Sequence, residues 1–232
     1  MLVAAAGDMH HPLYTDLLES SLTSLEAAPD IFLIAGDVLK PGPISDYSDV
    51  VSIIRRRVGC PIIAAFGNTE FQEDRSAIRS QNPSVAFLDD EAAKLNIGGT
   101  SILVVGSTGS LERPTSWQKR NIPHITDIYR ARVLTVGKLL EQPADTKILL
   151  THYAPTYATL EGEGKSSFPW LGTRRFESVI LERRPALVVH AHAHNGTREA
   201  CLDGIRVCNA SLPLNREIVI LDLPRQGPQS SC

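Results

Sequence analysis

The sequence predicts an α/β protein in which a largely parallel sheet is covered by helices. Short apolar runs recur along the chain, at Leu2–Ala6, Ile31–Ala35, Pro61–Phe66, Lys147–Leu150 and Ala186–Val189, each of the length of a buried strand. Segments of helical periodicity separate several of them, and strands alternating with helices imply parallel pairing. A third observation lies at the ends of the runs: each gives way within a few residues to an aspartate, an asparagine or a histidine.

Taken in order, Leu2–Ala6 reads as a strand ending at Gly7-Asp8-Met9-His10, and about Leu13–Ala27 as a helix with Leu17, Leu18, Leu22 and Leu25 on one stripe. Ile31–Ala35 is the second strand, ending at Gly36-Asp37; Lys40–Pro43 is a loop and about Ser45–Val58 a second helix. Pro61–Phe66 is the third strand, ending at Gly67-Asn68-Thr69-Glu70. From Ser84 the rhythm changes to short strands, Val85–Leu88, Ala92–Ile97 and Ser101–Val105, with Gly98-Gly99 as a turn. Gly106–Pro123 reads as a long irregular stretch carrying Arg113, Trp117, Lys119 and Arg120. Thr126–Glu141 is a helix expected to bury Ile128, Val133, Val136, Leu139 and Leu140. Lys147–Leu150 is a strand ending at Thr151-His152, Tyr153–Trp170 is a second long loop, and a helix near Arg174–Glu182 leads into the histidine strand, which runs out through His190, His192 and His194. Arg198–Leu202 and Ile205–Asn209 form a hairpin around Asp203-Gly204, and Glu217–Leu223 is the last strand. Residues 1–223 are expected to form one domain and 224–232 a flexible tail.

Of the 232 residues 43% are hydrophobic and 21% charged, ordinary proportions for a globular protein, and the formal net charge of −3 gives no general pull toward nucleic acid or an anionic membrane. No apolar run is long enough to cross a bilayer, and Met1–Ala6 lacks the basic leader of a signal peptide, so a cytoplasmic location is expected. Cys60, Cys201, Cys208 and Cys232 show no CxxC spacing. If Leu202 faces Ile205 across the hairpin, Cys201 faces Arg206 and Cys208 faces Glu199, so those two are not partners.

The strand ends supply Asp8 with His10, then Asp37, Asn68, His152, and His192 with His194. In sheets of this type ligands gather outside the carboxyl ends of the strands. Two carboxylates, four imidazoles and one amide oxygen are too many for one metal with an open position, and suit two cations sharing a carboxylate. Hard oxygen with borderline nitrogen and no thiolate favours Mn, Fe or Zn. Taken singly, each residue has a plainer reading: Asp8 and Asp37 as helix caps, Asn68 as a turn residue, His152 as a hydrogen-bonded strand end. His190 reads as structural, His11 as exposed, His124 as a surface or rim residue, and Glu70 as a brace for the site. Gly106-Ser-Thr-Gly-Ser110 lacks the lysine of a phosphate-binding loop. The metallo-β-lactamase motif fails because Asn195-Gly196 follows His194.

In order and spacing, the blocks Asp8-Met9-His10, Gly36-Asp37, Gly67-Asn68-Thr69-Glu70, His152 and Ala191-His192-Ala193-His194 resemble the pattern of the calcineurin-like metallophosphoesterase superfamily, in its small bacterial and archaeal branch, over residues 2–222. The resemblance implies a four-layer α/β/β/α sandwich with a two-metal centre. Carried onto matching positions, it implies that Asp8, His10 and His194 ligate one divalent ion, that Asn68, His152 and His192 ligate the other, and that Asp37 bridges them. It further implies in-line attack on phosphorus by a metal-bridging hydroxide in a small phosphate-ester substrate, with Asp37, Asn68 and Thr69 at catalytic positions. Thr69, Arg113 and Arg120 are the candidates to touch that substrate, arginine by bidentate bonds.

Two positions depart from the pattern. Thr69 stands where the family usually has a histidine that contacts phosphate and helps protonate the leaving group. Loss of one general acid typically costs on the order of 10²–10⁴ in rate. The change favours phosphodiesters or small activated esters with good leaving groups; the alternative is a catalytically weak scaffold for protein interaction. Ala191 stands where glycine is usual, which matters only if the backbone there needs a positive φ.

Overall fold

The computed structural model describes residues 1–40 and 42–223. The first half of the chain runs β1 (Leu2–Ala6), α1 (Thr15–Thr23), β2 (Ile31–Ala35), α2 (Asp46–Arg55), β3 (Ile62–Ala65), α3 (Arg75–Gln81), β4 (Val85–Leu88), β5 (Glu91–Ile97) and β6 (Thr100–Ser107). It continues through α4 (Ser116–Asn121), α5 (Ile125–Leu139), β7 (Thr146–Thr151), α6 (Phe168–Leu171), α7 (Arg175–Arg183), β8 (Leu187–His190), β9 (Glu199–Leu202), β10 (Ile205–Asn209), α8 (Leu212–Asn215) and β11 (Val219–Asp222).

Two sheets form. One has the order β11-β1-β2-β3-β4, with β1 to β4 parallel and β11 antiparallel on the edge. The other has the order β5-β6-β7-β8-β10-β9, parallel from β6 through β10 and closed at each edge by an antiparallel strand. The all-apolar strands follow from burial on both faces. In β2, Ile31, Leu33 and Ala35 point into the layer between the sheets, where they meet Ile102, Val104, Ile148, Leu150, Leu187 and Val189. Phe32 and Ile34 point the other way, onto Leu18 and Leu22 of α1 and Tyr47, Val50 and Ile54 of α2. Outside the second sheet, Val133 and Val136 of α5 and Phe176 and Ile180 of α7 cover Leu103, Val105, Leu149 and Val188. These packed faces make an α/β/β/α sandwich, and each fully buried aliphatic side chain contributes roughly 1.5–3 kcal/mol of transfer free energy.

Four short helices are not among the elements the sequence predicts, and one of them, α6, falls at the end of the expected Tyr153–Trp170 loop. α3 has a single buried apolar residue, Ile78, and therefore no stripe. α4 lies inside the stretch expected to be irregular, yet it opens with a capping box in which the Thr115 hydroxyl accepts from the Gln118 N–H. α8 is only Leu212–Asn215. The buried face of α5 also differs at its start: Ile128 is 39% exposed, while Ile125 and Tyr129 are buried against Leu111 and Tyr153. That first turn covers a loop and not the sheet. The hairpin register places Leu202 opposite Ile205, Cys201 opposite Arg206 and Cys208 opposite Glu199, as expected. No helix of the described residues is long and apolar enough to cross a membrane. The expected tail, 224–232, lies outside the described residues.

Candidate metal centre

The carboxyl ends of β1, β2 and β3 in one sheet and of β7 and β8 in the other point to the same edge, and hydrogen bonds between residues far apart in sequence join them. Asp8 N–H donates to the Gly36 carbonyl at 3.0 Å and His10 N–H to the Asp37 carbonyl at 3.1 Å. His192 N–H donates to Asp8 Oδ2 at 2.8 Å, across 184 residues of chain. Asp8, His10, Asp37 and His192 all have left-handed backbones, with φ of 54°, 41°, 49° and 70°. For non-glycine residues that conformation costs of order 1–3 kcal/mol each and persists where surrounding contacts over-determine it. Gly67 lets the turns close: a Cβ there would overlap the Asp37 carboxylate.

Two clusters result. Asp8, His10 and His194 offer ligand atoms within 4.8 Å of one another, and so do Asp37, His152 and His192. Asn68 joins the second cluster, with its Oδ1 3.0 Å from His152 Nε2. All seven candidate ligands are thus drawn to one edge of the sandwich. Helix capping does not account for them, because α1, α2 and α3 begin on Tyr14, Ser45 and Asp74.

The donor set fits divalent cations. His152 Nδ1 lies 2.9 Å from the Ala35 carbonyl, which can only accept, so Nδ1 carries the proton. Burial lowers the His152 pKa, leaving Nε2 as a bare lone pair beside two oxygens, Asn68 Oδ1 at 3.0 Å and Asp37 Oδ1 at 3.5 Å. Three lone pairs converging in a buried site are reconciled by a cation, and a backbone carbonyl orienting the imidazole is the usual outer support of a metal-binding histidine. Asp8 is fully buried; its Oδ1 has no hydrogen-bond partner among the described residues. Burial raises the Asp8 pKa, but the hydrogen bond with His194, together with the imidazoles of His152, His194 and His192 around it, outweighs burial and holds the carboxyl well below the usual range. Burial and the charge of Asp8 raise Asp37. His192 is pushed down to about 4 by burial and by His152, which keeps it neutral and ready to ligate.

Around the clusters, Glu70 is buried and accepts backbone N–H groups from Gly67 (2.7 Å), Asp37 (3.1 Å), Val38 (2.9 Å) and Leu39 (3.2 Å), so one carboxylate holds two of the ligand-bearing turns together. Thr69 is half-buried. Its N–H donates to Asp37 Oδ1 at 2.9 Å and its hydroxyl to Glu70 Oε1 at 3.3 Å, which turns the hydroxyl inward. Ala191 is not among the positive-φ residues; His192 beside it is, so the usual glycine has no conformational role to lose here. His190 is fully buried between the Ala191 carbonyl and the Thr159 hydroxyl, each at 2.8 Å. His11, expected to be exposed, is instead half-buried with Nδ1 2.7 Å from Thr15 Oγ1.

A cavity of about 550 Å³ opens beside Asn68, lined by Gly67, Glu70, Phe71, Trp117, Tyr129 and Tyr153 among others. The structure does not bring Arg113 or Arg120 into that lining; both are exposed. The guanidinium groups in its wall are Arg75 and Arg132. Tyr153 escaped the sequence reading although it directly follows His152, and its ring centroid lies 4.8 Å from that of His192.

Known proteins share both the family pattern and the fold. The family model of the calcineurin-like phosphoesterases matches residues 1–196, and the chain belongs to that family, whose members hydrolyse phosphate esters with divalent metal ions. Among solved structures it is similar to the TT1561 protein of Thermus thermophilus, at 16% identity and a TM-score of 0.62 over 95% of this chain and 98% of that one. It is also similar to a Staphylococcus aureus protein provisionally named a 5′-nucleotidase, at 13% identity and a TM-score of 0.53 over 90% of this chain and 48% of that one. At these identities the likenesses bear on the fold. No curated protein matches the sequence.

Proposed function

We propose that this chain hydrolyses phosphodiesters or small activated phosphate esters at a centre that takes two divalent ions of manganese, iron or zinc. The observation that carries the reading is the pair of ligand clusters, one of which holds the buried Asp8, whose Oδ1 has no hydrogen-bond partner among the described residues. Asp8, His10 and His194 would hold one ion, Asn68, His152 and His192 the other, with Asp37 between them. Bound there, two divalent ions supply charge stabilisation at the phosphoryl oxygens and activation of water at neutral pH.

The chain's own part is preorganisation. The Ala35 carbonyl fixes the tautomer of His152, and the His192 N–H fixes the rotamer of Asp8. Glu70 clamps the turns that carry Asp37 and Asn68. At Thr69 the hydroxyl serves Glu70, and it is too weak an acid to protonate a departing alkoxide. Esters whose leaving groups need no proton, such as aryl diesters, are therefore the favoured substrates.

The test is hydrolysis of nitrophenyl and alkyl phosphodiesters with added manganese, iron or zinc. The native protein is expected to cleave the nitrophenyl ester and to fall off steeply as the leaving group becomes more basic. Thr69→His should raise the rate on alkyl leaving groups by about tenfold or more while changing the nitrophenyl rate little. Equal rates across leaving groups in the native protein would overturn the preference, and no turnover with any of the metals would overturn the reading.

A further inference from the structure

The cavity beside Asn68 has a composition unlike that of the metal centre. Its wall is built mainly from carbon: Phe71 on the loop after β3, Trp117 on α4, Ile125, Ile128 and Tyr129 on α5, and Tyr153 after β7. Phe71, Trp117 and Ile128 are 37%, 48% and 39% exposed, and the Phe71 and Trp117 rings lie 5.8 Å apart. Large apolar side chains left open to water around one concavity mark a binding surface. The loop carrying Phe71 is distant in sequence from the neighbouring helices α4 and α5 that carry Trp117 and Ile128, so their meeting is a product of the fold.

Two further features identify the occupant. The cavity is continuous with the candidate centre, since Gly67, Asn68 and Glu70 form one wall and Tyr153 packs its ring on His152 and His192 at 5.2 and 4.8 Å. Whatever fills it is therefore joined to a group held by the metal ligands. The two guanidinium groups in the wall are already engaged, Arg75 with Asp89 at 2.8 Å, and Arg132 with Asp90 at 2.9 Å and the Gly109 carbonyl at 2.7 Å. The wall thus favours an uncharged occupant over a second anionic group. The exposed aromatic rings of Phe71 and Trp117 favour a flat ring, which gains from stacked or edge contacts beyond simple area burial.

We propose that this cavity is the subsite for the organic group of the ester, and that it selects an uncharged aromatic or heteroaromatic ring. The assignment rests on the phosphoesterase reading above and adds the substrate class to it. At about 550 Å³ the cavity lies within the usual range for small-molecule sites. Trp117 is the specificity residue: α4 exists in the loop between β6 and α5 because Thr115 and Gln118 cap it, and Gln118 in turn donates to the Tyr153 hydroxyl at 3.1 Å, fixing α4 against the site.

The experiment compares phenylphosphonate with methylphosphonate, which share a headgroup and differ by the ring, binding to the manganese-loaded full chain by calorimetry. The native protein is expected to bind phenylphosphonate about tenfold more tightly, equivalent to about 1.4 kcal/mol. Trp117→Ala should shrink that ratio below about threefold, Trp117→Phe should restore most of it, and Trp170→Ala, which alters an exposed tryptophan outside the cavity, should leave it intact. Equal affinity for the two phosphonates in the native protein, or an undiminished ratio in Trp117→Ala, would overturn the subsite while leaving phosphoester hydrolysis in place. Binding of neither phosphonate together with no turnover of any ester would overturn the phosphoesterase reading, and the subsite with it.

Discussion

Asp37 and Glu70 illustrate how much of this protein is decided by single carboxylates. Asp37 lies in the left-handed region, receives the Thr69 N–H, and belongs to the ligand cluster with His152 and His192. Asp37→Ala is expected to abolish measurable hydrolysis and to lower the bound metal, with the fold retained by circular dichroism. Glu70 accepts four backbone N–H groups and the Thr69 hydroxyl. Glu70→Gln would set an amide N–H₂ against those donors. It should cost about 1–3 kcal/mol in stability and about 10–100-fold in activity, read by urea unfolding and by aryl-diester turnover. At this scale the sequence was informative. Each candidate ligand follows a strand, and the hydrogen-bonding capacities of Asp, Asn and His limit what such a series can be. The direction of the Thr69 hydroxyl was not legible, because it depends on where Glu70 lies. Nor was the exposed position of Arg113 and Arg120, since loop paths carry no periodicity.

At the scale of elements, the turn after each strand matters as much as the strand. Gly67 sits where a Cβ would collide with the Asp37 carboxylate and backbone nitrogen. Gly67→Ala should therefore displace Asp37 and lower turnover by about 100-fold, the order expected from a misplacement near 1 Å. Gly59 has nothing within 4 Å of an added Cβ, so Gly59→Ala should leave turnover unchanged. Equal rates for the two variants would contradict the close approach of these turns. The strands themselves could be read because a buried parallel strand is a short apolar run. The helices α3 and α8 could not, since neither is long enough to show a stripe. α4 carried a readable signal, the Thr115-Ser-Trp-Gln118 capping box, which was missed within an otherwise irregular segment.

For the whole molecule, the sandwich places alternate residues of every central strand in two different apolar layers, and the parallel strands deliver their ends to one edge. The succession of strands along the chain was legible, but their order within the two sheets was not. The stacking of the two sheets was an implication of the family resemblance, since periodicity does not say which face of a strand meets which partner. Burying so many histidines has a consequence for pH. His190 and His192 are both pushed down to about 4 by burial from an ordinary value of 6.5. Between those values the unfolded chain holds more protons than the folded one, so the stability contribution is complete above pH 6.5 and is lost as pH falls toward 4. Each histidine accounts for up to about 3 kcal/mol. Asp37, Glu70 and His194 are raised and act in the opposite sense, so the test is differential: the urea midpoint of chelator-treated protein is expected to fall more from pH 7 to pH 4.5 in the native chain than in His190→Gln, and equal slopes would contradict a buried neutral imidazole at His190.

All of these expectations depend on side chains from two sheets meeting to hold a pair of cations. Metal content by mass spectrometry, on protein loaded with manganese and then desalted, tests this most directly. About two ions should remain per native chain and fewer in Asp37→Ala. A native chain that retains none, or an Asp37→Ala chain that retains as many as the native, would contradict the account.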